Sequence, residues 1–243
     1  MSVAVVIENT LTAEEVGAAL EAMQRLRTEL IAAQAKASSE QLSGSVVPPA
    51  GGAVKVRGCW MTDYEAAPHN QHFMHITEAD PAIFSYLTHP RLIAMAEELV
   101  GGPVRLEEAE AAVNRRDPAH PVPGAVPGFH AGGYAEMDSF QRHGLTHCSF
   151  VKTLTNLTPL GPEDGGTAVI PGVSTRAGTR SICLPRWHRP QLWLVATQSH
   201  KLNADVERQD IIKAALASPD TLTTQVVAPA GSTLLFGETL IHG

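Results

Sequence analysis

The segment GFHAGGYAEMD, Gly128 to Asp138, sets one histidine, His130, among glycines and follows it with two carboxylates, Glu136 and Asp138. A neutral imidazole offers a ring-nitrogen lone pair to a transition metal, and a nearby carboxylate completes a ligand set that leaves open positions. Two residues beyond His130, where such a site would keep its carboxylate, stands Gly132. A second histidine, His242, closes the apolar run AGSTLLFGETLI at the other end of the chain. Both follow β-type or turn segments, and a jelly roll brings such distant positions together at the mouth of its barrel. Two imidazoles there suit iron with an open coordination face.

The other histidines, of eleven in all, read differently. His69, His72 and His75 crowd into PHNQHFMH, yet only a helix would put His72 and His75 on one face, and no fourth ligand follows. His188 in PRWHRP and His200 in TQSHK lie in irregular segments that suit a surface or a substrate loop. Cys59, Cys148 and Cys183 are isolated thiols, neither a disulfide framework nor a zinc knuckle, as expected for a reducing, cytoplasmic setting. The opening MSVAVVIENT lacks the basic start and long apolar centre of a signal peptide. No stretch reaches the roughly 18–20 apolar residues that cross a bilayer, so no membrane partner is expected. With 18 Lys and Arg against 25 Asp and Glu, the net charge is −7 and no basic run appears, which disfavours nucleic acid. The expected partner is a small-molecule substrate.

These residues need a scaffold, and 243 residues with 44% hydrophobic content are enough for one domain with a core. VAVVI (3–7) reads as a short strand. Thr12 with Glu15 three residues on is a capping box that opens a long amphipathic helix. SGSVVPPAGG (43–52) is a loop or lid, and a second helical region spans about 80–100, ending at the Gly101–Gly102 pair. The texture then changes to short β-rich runs separated by Pro and Gly, interrupted by a helical insert over 204–220. Helices first and strands later predict an α+β chain. The expected organisation is a single domain, 1–243, with a helical region over about 1–100 packing on a jelly-roll core over about 101–243.

The order of motifs carries a resemblance. TLTNLTPLGPEDGGTAVIPGVSTR (153–176) resembles the strand, acidic turn, Gly-Gly step and "PGSH" signature of the phytanoyl-CoA dioxygenase family of Fe(II)/2-oxoglutarate oxygenases; here the last element reads PGVS. VVAPAGSTLLFGETLIHG resembles the family strand that supplies the distal histidine, and THPRLIAMAEELVGGPVRLEEAEAAV resembles its pre-barrel helix and first strand. The likeness covers roughly residues 80–243. It implies a double-stranded β-helix, the cupin-like jelly-roll barrel, with flanking N-terminal helices. It also implies Fe(II) as metal, 2-oxoglutarate as cosubstrate, and hydroxylation of a small organic molecule.

Carried over by position, His130 is the proximal iron ligand and His242 the distal one. The carboxylate position falls on Gly132, which leaves three arrangements open. The site resembles that of halogenases, in which Ala or Gly replaces the carboxylate and chloride, or water, takes the vacated place. Alternatively Glu136 or Asp138 folds back onto the metal, or the fold has lost iron and persists as a non-catalytic jelly-roll binding domain. The glycines also suit a plain tight turn. In the family an arginine beyond the distal histidine pairs with the far carboxylate of 2-oxoglutarate; this chain stops at Gly243, so it reads as a fragment of a longer product. Arg115, Arg116, Arg142 and Arg176 take no such role by position. Asn114, in the NRR segment of an expected barrel strand, is a candidate to hydrogen-bond the cosubstrate or substrate. The stretch 177–220, with Trp187 and Trp193, is expected to cover the substrate. A cupin-like isomerase or zinc hydrolase, active without 2-oxoglutarate, is the further alternative.

Overall fold

A computed structural model describes residues 4–42, 54–63, 70–114, 129–130, 139–142, 145–162, 164, 166–170, 204–237 and 240–243. In chain order the elements are β1 (Ala4–Ile7), α1 (Ala13–Leu42), β2 (Trp60–Asp63), β3 (Asn70–Met74), α2 (Pro81–Leu87), α3 (Pro90–Val100) and β4 (Glu110–Asn114). There follow β5 (Ser139–Arg142), β6 (Leu145–Cys148), β7 (Val151–Thr155), β8 (Ala168–Val169), α4 (Ala204–Ala217), α5 (Pro219–Leu222), β9 (Thr224–Gln225) and β10 (Thr233–Gly237). Helices and antiparallel strands are both present, as the α+β reading expects. The chain forms two compact units: Met1–Thr10 with Ala94–Val104 and Pro118–Gly243, and Leu11–Ile93 with Arg105–Asp117.

In the second of these units, the capping box at Thr12 starts α1. The Thr12 amide donates to Glu15 Oε2 at 2.7 Å and the Glu15 amide donates to Thr12 Oγ1 at 3.2 Å. These bonds satisfy amides that a helix start leaves without partners, and they hold the Glu15 carboxyl below its usual range. Val16, Ala19, Met23, Leu26 and Leu30 recur at helical spacing and are buried. The face of the β2–β3–β4 sheet that carries buried Met61, Gln71 and Phe73 is tied to α1, because Arg27 Nε donates to Gln71 Oε1 at 2.7 Å. Asp80 caps α2 by accepting from the Ala82 amide at 2.9 Å and pairs with Arg25 at 3.0 Å. A tight turn joins Val56 to Cys59. Arg57 and Gly58 both adopt positive φ there (49° and 80°), and the Arg57 guanidinium reaches the Ala79 carbonyl and Glu29.

In the first unit, β10 lies between β1 and β7, with Phe236 opposite both Ala4 and Lys152. All five residues of β10 are buried. After β10 the chain turns, with the Leu240 amide donating to the Gly237 carbonyl at 3.0 Å, and enters a second layer. There residues 241–243 run between His130 and β8, and β8 pairs with β9. One apolar cluster joins the layers: Ala4, Val169, Val226, Leu234, Phe236 and Leu240. On the other side of the second layer, Phe129, Ala168, Ile170 and Ile241 pack against Ile212 and Ala215 of α4. The alternation of Ala168, Val169 and Ile170 between the two clusters is the period-2 pattern of a strand buried on both faces. Each large apolar side chain so buried contributes roughly 1.5–3 kcal/mol.

Three features sharpen the sequence reading. The stretch around His72 is strand β3, so no helical face joins His72 to His75, which sits beyond the end of the strand at φ 55°. The helical region near 80–100 is two helices, because Pro90 starts a new one after Thr88 and His89. Asn114 ends β4, which pairs with β3 in the second unit opposite Asn70, so its strand belongs to the sheet tied to α1.

Candidate metal centre

His130 and His242 face each other in an antiparallel bridge. The His130 amide donates to the His242 carbonyl at 2.8 Å and the His242 amide donates to the His130 carbonyl at 2.9 Å. Directly opposed residues carry their side chains on the same face, and here the two imidazole centroids lie 4.2 Å apart at 54°. Strand alternation sets this face: Phe129 and Ile241 point to the α4 cluster, so their neighbours His130 and His242 point to the opposite side. Val169 bridges His242 from the other edge, so β8 itself forms one wall of the site.

The environment fixes the chemistry of His242. Its ring nitrogen Nδ1 lies 2.9 Å from the Leu240 carbonyl. A carbonyl oxygen only accepts, so Nδ1 carries the proton and Nε2 keeps its lone pair, the arrangement that orients a metal-binding imidazole. The residue is 4% exposed and the Phe236 ring meets it edge-on at 4.7 Å. Burial pushes its pKa down from 6.5 to about 4; the neighbouring His130 and Lys152 add to the shift, and the Leu240 carbonyl opposes it. His242 is therefore neutral across the physiological range. His130 is exposed, which leaves the pair accessible from one side.

Two adjacent imidazoles, one held in the ligating tautomer, fit a transition metal. Among the described residues no group of three His, Cys, Asp or Glu side chains converges. Gly132, Glu136 and Asp138, the positions on which the third ligand turns, lie outside the described residues, as do His69, His188, His200, Trp187, Trp193, Arg115, Arg116 and Arg176. The sequence reading passed over three contributors: the Leu240 carbonyl, the Phe236 ring and Lys152. Lys152 and Leu154 alternate with Val151, Thr153 and Thr155 in VKTLT, which is the signal that they share a strand face. The acidic turn of the GPEDGG motif is structural where it is described: Asp164 Oδ2 accepts from the Gly161 amide at 2.8 Å.

No family model matches the chain, and no curated protein matches it. Solved structures do. HygX from Streptomyces hygroscopicus with nickel and 2-oxoglutarate bound is 19% identical over 100% of this chain and 76% of that one, with a TM-score of 0.58. HygX with nickel, 2-oxoglutarate and hygromycin B bound matches at 18% identity and a TM-score of 0.55, over 100% and 76% of the two chains. HygX with iron bound matches at 15% identity and 0.52, over 100% and 75%. At these identities the likeness establishes a common fold, of mixed helix and sheet, between this chain and HygX.

Proposed function

We propose that this protein is an Fe(II)/2-oxoglutarate-dependent oxygenase of the phytanoyl-CoA dioxygenase type that hydroxylates a small organic substrate. The observation that carries the proposal is the cross-strand His130–His242 pair, with His242 Nδ1 tied to the Leu240 carbonyl. The fold shared with HygX, whose structures hold nickel or iron, 2-oxoglutarate and hygromycin B, favours the same reading. In it, the two layers of the first unit belong to a double-stranded β-helix, and His130 and His242 hold the metal at its mouth. When bound, iron and 2-oxoglutarate supply oxygen activation coupled to oxidative decarboxylation of the cosubstrate. The chain's own work is to orient and to keep dry. The Leu240 carbonyl fixes the His242 tautomer, and Phe236, Val169 and Leu240 line an apolar wall that excludes water.

Metal titration under anaerobic conditions tests this reading. The protein is expected to bind one Fe(II) or Ni(II), and the combined His130→Ala and His242→Ala variant to lose it. Metal content unchanged by that double substitution would favour a non-catalytic binding domain instead. Gly132 at the usual carboxylate position gives halogenation as the second reading. Turnover to succinate and a chlorinated product that depends on chloride supports it, and turnover indifferent to chloride supports hydroxylation. Gly132→Asp, which restores a carboxylate, is expected to suppress any chloride-dependent product.

A further inference from the structure

The imidazole pair rides on a ribbon of three strand segments. On one side residues 241–243 meet His130 through its bridge. On the other they meet 168–170: Ala168 and Gly243 exchange hydrogen bonds of 2.8 and 3.0 Å, and the Ile170 amide donates to the Ile241 carbonyl at 3.0 Å. The edge that carries His130 is held by less. Among the described residues, its backbone pairing consists of the two bonds of one isolated bridge. Each histidine follows an apolar residue, Phe129 or Ile241, which strand alternation sends to the opposite face. There both side chains, with Ala168 and Ile170, pack on a single helix through Ile212 and Ala215, three residues apart on α4. All of these side chains are buried.

A metal site needs its ligand atoms held to within about 0.5 Å, and two hydrogen bonds at a ribbon edge leave that edge free to pivot. Burial of Phe129 removes this freedom, because its side chain cannot leave the cluster without opening a cavity under α4. The helix contacts the backs of both ligand-bearing segments at once, so it sets one against the other. We infer that α4 is the clamp of the metal pair, with Ile212 and Ala215 as positioning residues that act on His130 and His242 through Phe129 and Ile241. Linkage makes the effect reciprocal: a metal that draws the imidazoles together strengthens the seating of α4, and loosening α4 weakens the metal. The inference rests on the metal-binding reading of the His130–His242 site. It extends that centre to a helix on the opposite face of the ribbon.

Calorimetric titration of the full chain with Ni(II) tests the clamp. Ile212→Ala is expected to weaken Ni(II) binding about tenfold, the scale on which support around a ligating histidine acts. Ile212→Val is expected to restore most of the affinity. Ile83→Ala makes the same truncation at a buried position of α2, in the second unit. It costs core packing but leaves the clamp alone, and is expected to bind Ni(II) like the unaltered chain. A second measurement needs no variant and decides the matter should Ile212→Ala fail to fold. Amide hydrogen exchange over residues 212–217 of the unaltered chain is expected to slow when Ni(II) is added, while exchange in α1 stays as it was. An Ile212→Ala protein that binds Ni(II) as tightly as the unaltered chain overturns the inference and leaves the oxygenase reading intact. So does an Ile83→Ala protein whose binding weakens equally, and so does exchange over 212–217 that ignores Ni(II). Failure of the unaltered protein to bind Ni(II) overturns both.

Discussion

At the scale of single residues, His242 is the most constrained titratable group of the site. An unfolded histidine takes a proton near pH 6.5, whereas His242 in the folded chain does so only near 4. Between these values the unfolded state binds the extra proton, so the stability contributed by a neutral, buried His242 is complete above about pH 6.5 and is lost as pH falls toward 4. Its size is on the order of 3 kcal/mol. In the metal-free protein, His242→Gln is therefore expected to unfold with a shallower loss of Tm between pH 7 and 4 than the unaltered chain. Parallel Tm profiles for the two proteins over that range would contradict the assignment. His242 was legible in the sequence because it ends an apolar run. Its tautomer was not, because the Leu240 carbonyl that sets it depends on the turn after β10.

At the scale of elements, local signals and pairing signals fared differently. The Thr12–Glu15 box, the Gly101 cap and the apolar spacing of α1 are contained in neighbouring residues, and the structure has them where the sequence predicts. Strands β2 and β3 escaped notice, since a run such as NQHFM shows its alternation only once partners make one face the buried one. The DGG step illustrates a local motif with a non-local cause. A Cβ on Gly166 would lie 2.9 Å from Leu160 Cδ1 and 3.2 Å from the Val226 carbonyl oxygen, where the chain passes close to the segment leaving β9. The leucine methyl can turn aside, but the carbonyl is backbone of a residue whose amide donates to the Thr167 carbonyl at 2.8 Å, so it moves only with the ribbon. Gly166→Ala is accordingly expected to cost about 1–3 kcal/mol in urea denaturation. A loss below a few tenths of a kcal/mol would mean the ribbon yields freely.

At the scale of the molecule, β10 joins the N-terminal strand to the site. It accepts β1 on one edge and β7 on the other, is buried along its length, and places Phe236 in the cluster between the layers and against His242. Phe236→Ala is expected to destabilise the chain by about 3–5 kcal/mol, since the cavity would open in a fully buried wall. It should also weaken Ni(II) binding, because the ring that packs on His242 is gone; Phe236→Leu should restore most of the stability. A urea midpoint unmoved by Phe236→Ala would show that the two layers do not depend on this contact. The sequence by itself determined the helices, the mixed α+β class and the two histidines worth watching, because caps, periodicity and residue chemistry act over a few neighbouring positions. Only the tertiary structure decided that His130 meets His242 edge to edge, that Val169 of β8 bridges His242 on its other side, and that Lys152 of β7 stands opposite Phe236. Those facts rest on which strands pair and in what register, and a strand's own residues state its alternation without naming its partner.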